Sequence, residues 1–563
     1  MTKRELRKRT RARESSNAIE RLYITMRHLL NRGFYKPFGV SGNTLKQGLL
    51  TLRPEIYGDI ASEKTELKGL KYVIDRLPAG IEECRVINMT GDEGYRLSQF
   101  KPIIPPKRRR NCYRIDKDQM NVELSRGRSD VYDILTHLTF LFIESHKIRQ
   151  KAVVNDKGEP GREWLALEKV VLNQTKLNKM ETERIIAYLS TLLGRTFEET
   201  KEAYDEFAEA KHPNRFFHLV YWLGKLAIDE AYLGKKREVK FTPSLRENLG
   251  HHINGEIWAT KIKDILREQD LLQRPIHIIS ANMHSVMNVL FAPKTLSLDL
   301  DEMEIYKELS KDKNKKLREK VEKKATENGM IYIKDQSSTN IDVQIFDLAK
   351  IKPADASLAL PDTGAKEMPV LIVMDYAFGE QAFEVMDELL KPYEKTGVKE
   401  HLNVQSISIM GKAGILVGSK GDIMIPNVHM FEGTADNYPF ENELQSADFE
   451  DEDMNVFKGT MVTVLGTSLQ NKDILAFFKN STWRAVGLEM EGAHYQKAIQ
   501  SASRIRGNIS PDVKVRYAYY ASDNPLQTGS TLASGPLGIK GVKPTYIITK
   551  KILNQIFNSY NHE

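Results

Sequence analysis

The spacing of apolar and polar positions divides the chain into two textures. Up to about residue 235, apolar residues recur every three or four positions, which marks one face of a helix. Between residues 17 and 30 these positions are Ile19, Leu22, Tyr23, Met26 and Leu29. The same period predicts helices over residues 131–148, 181–193, 197–210 and 216–232. Stretches rich in Pro and Gly, at 102–106 and 157–161, read as the loops between them. A large all-α N-terminal region, residues 1–270, is therefore expected, with no role that the pattern assigns.

Near residue 275 short apolar runs take over. Residues 276–281, 369–375 and 404–410 read as buried strands, and strand-like runs follow at 461–465, 486–490 and 513–522. Residues 330–334 and 343–348 form a candidate strand pair. After Gly379 a helix is expected to bury Phe383, Met386 and Leu389. Strands alternating with helices predict an α/β domain over residues 271–563, a mixed and mainly parallel sheet with helices on both faces. The highly charged segment 299–328 reads as an exposed helical insertion, and the proline-bearing segment 352–368 as a linker.

Composition narrows the class. With 563 residues, 41% hydrophobic and 28% charged, the chain has ample core material and is neither disordered nor collagen-like. The apolar stretch 134–143 is far short of the roughly 20 residues a membrane span needs, and it contains His137. Cys84 and Cys112 cannot make a disulfide framework or a four-cysteine zinc site. The opening residues carry charge without an apolar segment, so no secretory leader is read and a cytoplasmic protein is expected.

The net charge of +7 matters only where it is concentrated, at residues 3–13 and 107–110. Such runs suit a phosphate-rich partner such as nucleic acid, or simply a solvated surface. No aromatic residues are interleaved as a single-strand platform requires, which favours the surface. His137, Glu144 and His146 place at most two side chains on one helix face, and no metal site is read from them.

Three strand ends carry candidate chemistry, because ligands in such sheets sit beyond the carboxyl ends of the strands. At Gly411-Lys412-Ala413-Gly414 the absent side chains let backbone amides approach a base or phosphate, or merely allow a tight turn. Glu489-Met490-Glu491 puts two carboxylates on one side of a strand leading into a helix, where they suit sugar hydroxyls or the helix dipole. Ser522-Asp523-Asn524-Pro525 follows an apolar strand. It offers an acid with a raised pKa or a structural Asx turn.

In this order and spacing, the region from Arg274 onward resembles the nucleoside phosphorylase/nucleosidase superfamily, and most of all its bacterial AMP nucleosidase branch. Met410-Gly-Lys-Ala-Gly-Ile-Leu416 followed by Gly421-Asp-Ile-Met-Ile-Pro426 is similar to the family's glycine motif and its continuation. Glu432-Gly-Thr-Ala-Asp-Asn-Tyr438 resembles the nucleosidase loop, and Lys458-Gly-Thr-Met-Val-Thr463 the strand lining the base pocket. Gly487-Leu-Glu-Met-Glu-Gly-Ala493 is similar to the ribose-binding signature, and Ser522-Asp-Asn-Pro525 to the acid motif.

The resemblance implies that Glu491 holds ribose hydroxyls, Met490 packs under the sugar and Asp523 protonates the purine at N7. Gly379 would lie beside the ribose or its phosphate, and Thr463 in the base pocket. No metal or organic cofactor is implied, and a homo-oligomer is expected. The substrate would be a purine nucleoside or nucleotide. The chain also departs from the pattern. Ile409 and Met410 stand where phosphorolytic members carry a phosphate-binding arginine, and Met430 and Phe431 stand near another arginine of AMP nucleosidases. The loop Asn282-Met-His-Ser285 lacks the water-activating glutamate, leaving His284 as a candidate. Hydrolysis is favoured over phosphorolysis on this basis, with a non-catalytic nucleotide sensor as the alternative.

Overall fold

The computed structural model describes residues 3–174, 177–364, 367–395, 397–434, 436–527 and 538–560. The chain forms two compact units. The first comprises residues 1–125, 130–251 and 468–471, and the second 126–129, 252–467 and 472–563.

The first unit contains the expected helices, at Lys3–Arg32, Gly127–Ala152 (from Asp130 on), Lys179–Leu193, Phe197–Phe207 and Arg215–Tyr232. Their ends follow local chemistry. Asn178 accepts the Glu181 N–H while the Glu181 carboxylate accepts that of Asn178, and Gly194 closes the same helix at φ +66°.

The region is not all-α. Five strands form a mixed sheet in the order Phe34–Tyr35, Glu238–Phe241, Val86–Thr90, Gln119–Glu123, Cys112–Arg114. Each is five residues or shorter, and Glu238–Phe241 joins partners far away in sequence. No local hairpin signal announces the whole sheet. Two of the four residues of the basic run 107–110 are spent inside this unit, while Lys107 and Arg109 are exposed. The Arg108 guanidinium grips Asp133 at 2.7 and 2.9 Å, and buried Arg110 donates to Asp130 at 2.7 and 2.9 Å. Side chains of residues 3–9 lie outside the described residues. Among the described residues no helix is long and apolar enough to cross a membrane.

In the second unit, ten described strands form one sheet. Its order runs Asn437–Pro439, Ile423–Phe431, Val456–Thr463, Gly487–Glu489, Val404–Ile415, Ile276–Ser280, Val370–Met374, Val343–Asp347, Met330–Ile333. Lys514–Asp523 pairs with both Val404–Ile415 and Ile423–Phe431. Ile276–Ser280 is parallel to both neighbours, whereas the hairpin at Met330–Ile333 and Val343–Asp347 is antiparallel. Strand alternation explains the two apolar layers. Val370, Ile372 and Met374 join the core that includes Ala382, Val385, Met386 and Leu389. Leu371 and Val373 join the opposite core, with Val286, Leu290, Ile548 and Ile552. Truncating any of these larger side chains to alanine would cost about 2–5 kcal/mol.

Two expectations change here. The charged segment 299–328 is helical, at Glu302–Leu309 and Lys315–Glu327, but it is not simply exposed. Ile305, Tyr306, Leu309, Val321 and Ala325 are buried, and Tyr306 stacks on Tyr546 at 3.8 Å between ring centres. Dense charge on the outer positions hides a one-sided apolar stripe. In addition, the strand expected to stop at Met410 continues through Gly411–Gly414 to Ile415. The glycine motif is thus strand, not turn. The paired strand Lys514–Asp523 keeps its backbone hydrogen-bonded as far as Gly414.

Candidate active site

Gly414 is the hinge of the arrangement. It pairs with Leu488 on one side and with Asp523 on the other, where the register shifts between Ala413 and Gly414. One strand residue thereby brings Glu489 and Asp523 to the same end of the sheet. Thr463 pairs with Glu489 and brings the next strand alongside.

Glu489 is buried and organises the turn into the neighbouring helix. Its Oε2 accepts the N–H groups of Glu491 and Gly492, and its Oε1 accepts the Thr463 hydroxyl. The Thr463 oxygen in turn accepts the Ala493 N–H at 2.8 Å. Glu489 therefore satisfies the first amides of the helix Gly492–Gln500, the task a capping residue usually performs. Glu491, which stands at the cap position, makes no side-chain cap bond. Its carboxylate reaches instead to the N–H of Gly379, at 2.8 Å. Gly492 has to be glycine because a Cβ there would strike the His429 ring and lie 2.8 Å from Glu489 Oε1.

Burial raises the proton affinity of both carboxyls, and a charged neighbour raises it further at Glu491 alone. Burial pushes Glu489 up to about 7, against the pull of Thr463 and the amides of Gly492 and Glu491. Burial and the neighbouring Glu489 push Glu491 up to about 8, opposed by the Gly379 and Met490 amides and by Lys412. An exposed lysine and a fixed amide thus oppose the rise at Glu491 without cancelling it.

Gly379 follows the strand Val370–Met374 and adopts φ +56°, the left-handed region. A Cβ on it would lie 2.6 Å from Ser129 Cβ and 3.9 Å from the Met490 methyl. Ser129 Oγ accepts the Glu380 N–H at 2.8 Å, and Arg128 pairs with Glu380 at 3.0 Å. The segment 126–129 thus braces the loop that holds Glu491. Sequence reasoning missed it, because some 250 residues separate the partners and Ser-Asp after Gly-Arg reads only as a helix start.

At the strand end on the other side of Gly414, Asp523 is buried and Ser522 Oγ lies 2.5 Å from its Oδ1 and 3.1 Å from the Ala413 carbonyl. Asn524 ties this end down, donating to the Gly418 carbonyl at 2.8 Å and accepting the Leu526 N–H at 3.0 Å. Gly411 sits under the Tyr376 ring, and a Cβ there would lie 3.6 Å from its Cε1. Below lies a second feature missed in the sequence. Tyr519 and His429 are joined at 3.2 Å, and His429 stacks on Phe440, kept neutral by burial that lowers it to about 3.

The structure thus gathers Glu489, Met490, Glu491, Thr463 and Gly379 on one side, and Gly411, Ala413, Gly414, Ser522 and Asp523 on the other. His284 is the second residue of the helix Met283–Leu296, near Asp375 and Arg318. Among the described residues, no hydrogen bond ties its ring to Glu491 or Asp523. Ile409 and Met410 are buried in the cores, so neither offers a contact for phosphate. Residue 435 of the Glu432 loop lies outside the described residues.

No curated protein matches the chain. Solved structures similar to it include the 5'-methylthioadenosine/S-adenosyl homocysteine nucleosidase of Campylobacter jejuni, at 12% identity and a TM-score of 0.30 over 50% of this chain and 99% of that one. The futalosine hydrolase of Helicobacter pylori is likewise 12% identical, with a TM-score of 0.30 over 51% of this chain and 98% of that one. The purine nucleoside phosphorylase of Toxoplasma gondii in complex with immucillin-H is 12% identical, with a TM-score of 0.29 over 52% and 94%. The family assignment rests on a different comparison, a family model that matches residues 43–305 and 301–558. On that match, the chain belongs to the Family of unknown function (DUF6909).

Proposed function

We propose that the second unit cleaves the N-glycosidic bond of a purine nucleoside or nucleotide by hydrolysis, in the manner of AMP nucleosidase. One observation carries the reading. A carboxylate, Glu491, is freed from capping duty by Glu489 and fixed by the Gly379 amide, at the sheet end where Gly414 also pairs with Asp523. Leaving of the base makes the sugar cationic and the base anionic. Water adds at C1' and loses a proton, while the C1'–N9 pair goes to the base, which takes a proton at N7. A carboxylate at the sugar stabilises one end of that transition state and an acid at the base the other. In this reading Glu491 grips the ribose hydroxyls, Met490 packs beneath the ring and Asp523 supplies the N7 proton. Gly411, Lys412, Ala413 and Thr463 line the ligand. The assembly is proposed to be a homo-oligomer.

Core positions at 409 and 410 favour water over inorganic phosphate as the acceptor. They equally favour the rival reading, a nucleotide sensor that binds without turnover, since no side chain described at the site stands out to activate water. Base release from AMP, adenosine, inosine and methylthioadenosine, with and without phosphate, separates the two. Release unaffected by phosphate supports the hydrolase; ribose 1-phosphate as product would overturn hydrolysis; binding with no release would favour the sensor.

A further inference from the structure

The first unit holds a separate cavity of about 670 Å³, with an apolar wall that includes Leu172, Phe217 and Trp222. On its polar side stand Glu82, Glu83 and His218, whose potential ligand atoms all lie within 4.8 Å of one another. Glu82 and Glu83 belong to a short 3₁₀ turn, and His218 projects from the first turns of the helix Arg215–Tyr232. His218 Nε2 is 2.7 Å from Glu83 Oε1 and 4.0 Å from Glu82 Oε1.

The two carboxylates are oriented from behind. Arg215 binds Glu82 through Oε1, and Arg114 binds Glu83 through Oε2 at 3.0 Å. The arginines use one oxygen of each carboxylate, and the His218 ring bonds the second oxygen of Glu83. The other oxygen of Glu82, Oε2, is sealed from water and has no hydrogen-bond donor, while the side chain as a whole is 1% exposed. A carboxylate oxygen can only accept, so burying one without a donor is costly. A cation held between Glu82, Glu83 and His218 and reaching that oxygen would remove the cost.

From these features we propose that Glu82, Glu83 and His218 bind a divalent transition-metal ion of the Zn²⁺ or Mn²⁺ type, with an open coordination position facing the cavity. One imidazole with two carboxylates suits such ions better than Mg²⁺ or Ca²⁺, which prefer all-oxygen sets. Ligand atoms about 2 Å from one ion span at most about 4 Å, so the trio draws in from its 4.8 Å spread while His218 exchanges its bond to Glu83 Oε1 for the ion. Arg114 and Arg215 act as the outer shell that aims the carboxylates. The site is independent of the glycosidase reading.

The test uses the full chain, stripped of metal and dialysed against Zn²⁺, with bound metal measured by elemental analysis. One Zn²⁺ per chain is expected, with affinity reduced at least about 10–100-fold in His218→Ala and in Glu83→Gln, the range that loss of mere supporting contacts already reaches. His218 is 37% exposed, so its truncation leaves the packing largely intact, which circular dichroism checks. Co²⁺ bound to the unmodified protein should show ligand-field bands without sulfur-to-cobalt charge transfer, which excludes Cys84 as the ligand. No retained zinc, equal retention in both variants, or a thiolate band would each overturn the proposal.

Discussion

Substituting Gly379 tests the loop that positions Glu491. Two costs combine in Gly379→Ala. Placing a Cβ in the left-handed region costs roughly 1–2 kcal/mol, and the Cβ would lie 2.6 Å from Ser129 Cβ and closer still to its Oγ. Overpacking of that kind typically costs about 1–3 kcal/mol. The single variant should therefore lose roughly 2–5 kcal/mol. Both close atoms belong to Ser129, so Ser129→Gly should remove the overpacking but not the strain. Alone, that second change loses an acceptor for the Glu380 N–H and costs about 1 kcal/mol. The double variant should then be at least about 1 kcal/mol more stable than the sum of the singles. Amide hydrogen exchange in the helix Gln381–Leu389, followed through urea titration, reads the loop directly. Strictly additive losses, or a Gly379→Ala chain as stable as the parent, would refute the packing argument.

Asp523→Asn should leave the unfolding midpoint unchanged and slow base release by about 10²-fold or more, the usual scale for acid catalysis; a fully active variant would remove Asp523 from the reaction. Thr463→Val should destabilise the unit by about 1–3 kcal/mol in thermal unfolding. It strands Glu489 and the Ala493 N–H, and Thr463→Ser should restore most of the loss. Glu489 and Glu491 are raised to about 7 and about 8, so the folded state holds their protons more tightly than the unfolded one. The stability this confers is complete below the ordinary carboxylate range and is lost as pH rises through about 7 to 8. Urea midpoints should fall across that window, and Glu489→Gln or Glu491→Gln should flatten the fall.

The second unit was legible because buried strands write themselves as continuous apolar runs. Ile276–Ser280 and Val370–Met374 are buried at every residue, and both stand where the runs place them. The first unit's sheet was missed for the opposite reason. Met120 and Val122 do alternate with Gln119, Asn121 and Glu123, but a five-residue alternation beside long helices is a weak signal, and its partners are remote. At the site, the order of the motifs was readable, but the division of labour was not. That Glu489 holds the helix amides and releases Glu491 depends on a bend after the strand. Ser129's contact with the Gly379 loop depends on tertiary placement alone.

The central claim, that this site stabilises a cationic sugar, is tested most directly by Glu491→Gln. The change keeps the shape and one acceptor for the Gly379 N–H but removes the charge. A carboxylate facing an oxocarbenium ion contributes more in the transition state than in the ground state. Turnover on the best substrate, measured beside calorimetric affinity for a non-hydrolysable analogue, should therefore show kcat falling at least as far as affinity does. A loss confined to affinity, of about 1–3 kcal/mol for the charged hydrogen bond, would mark a sensor. No change in either quantity would mean that Glu491 does not meet the sugar.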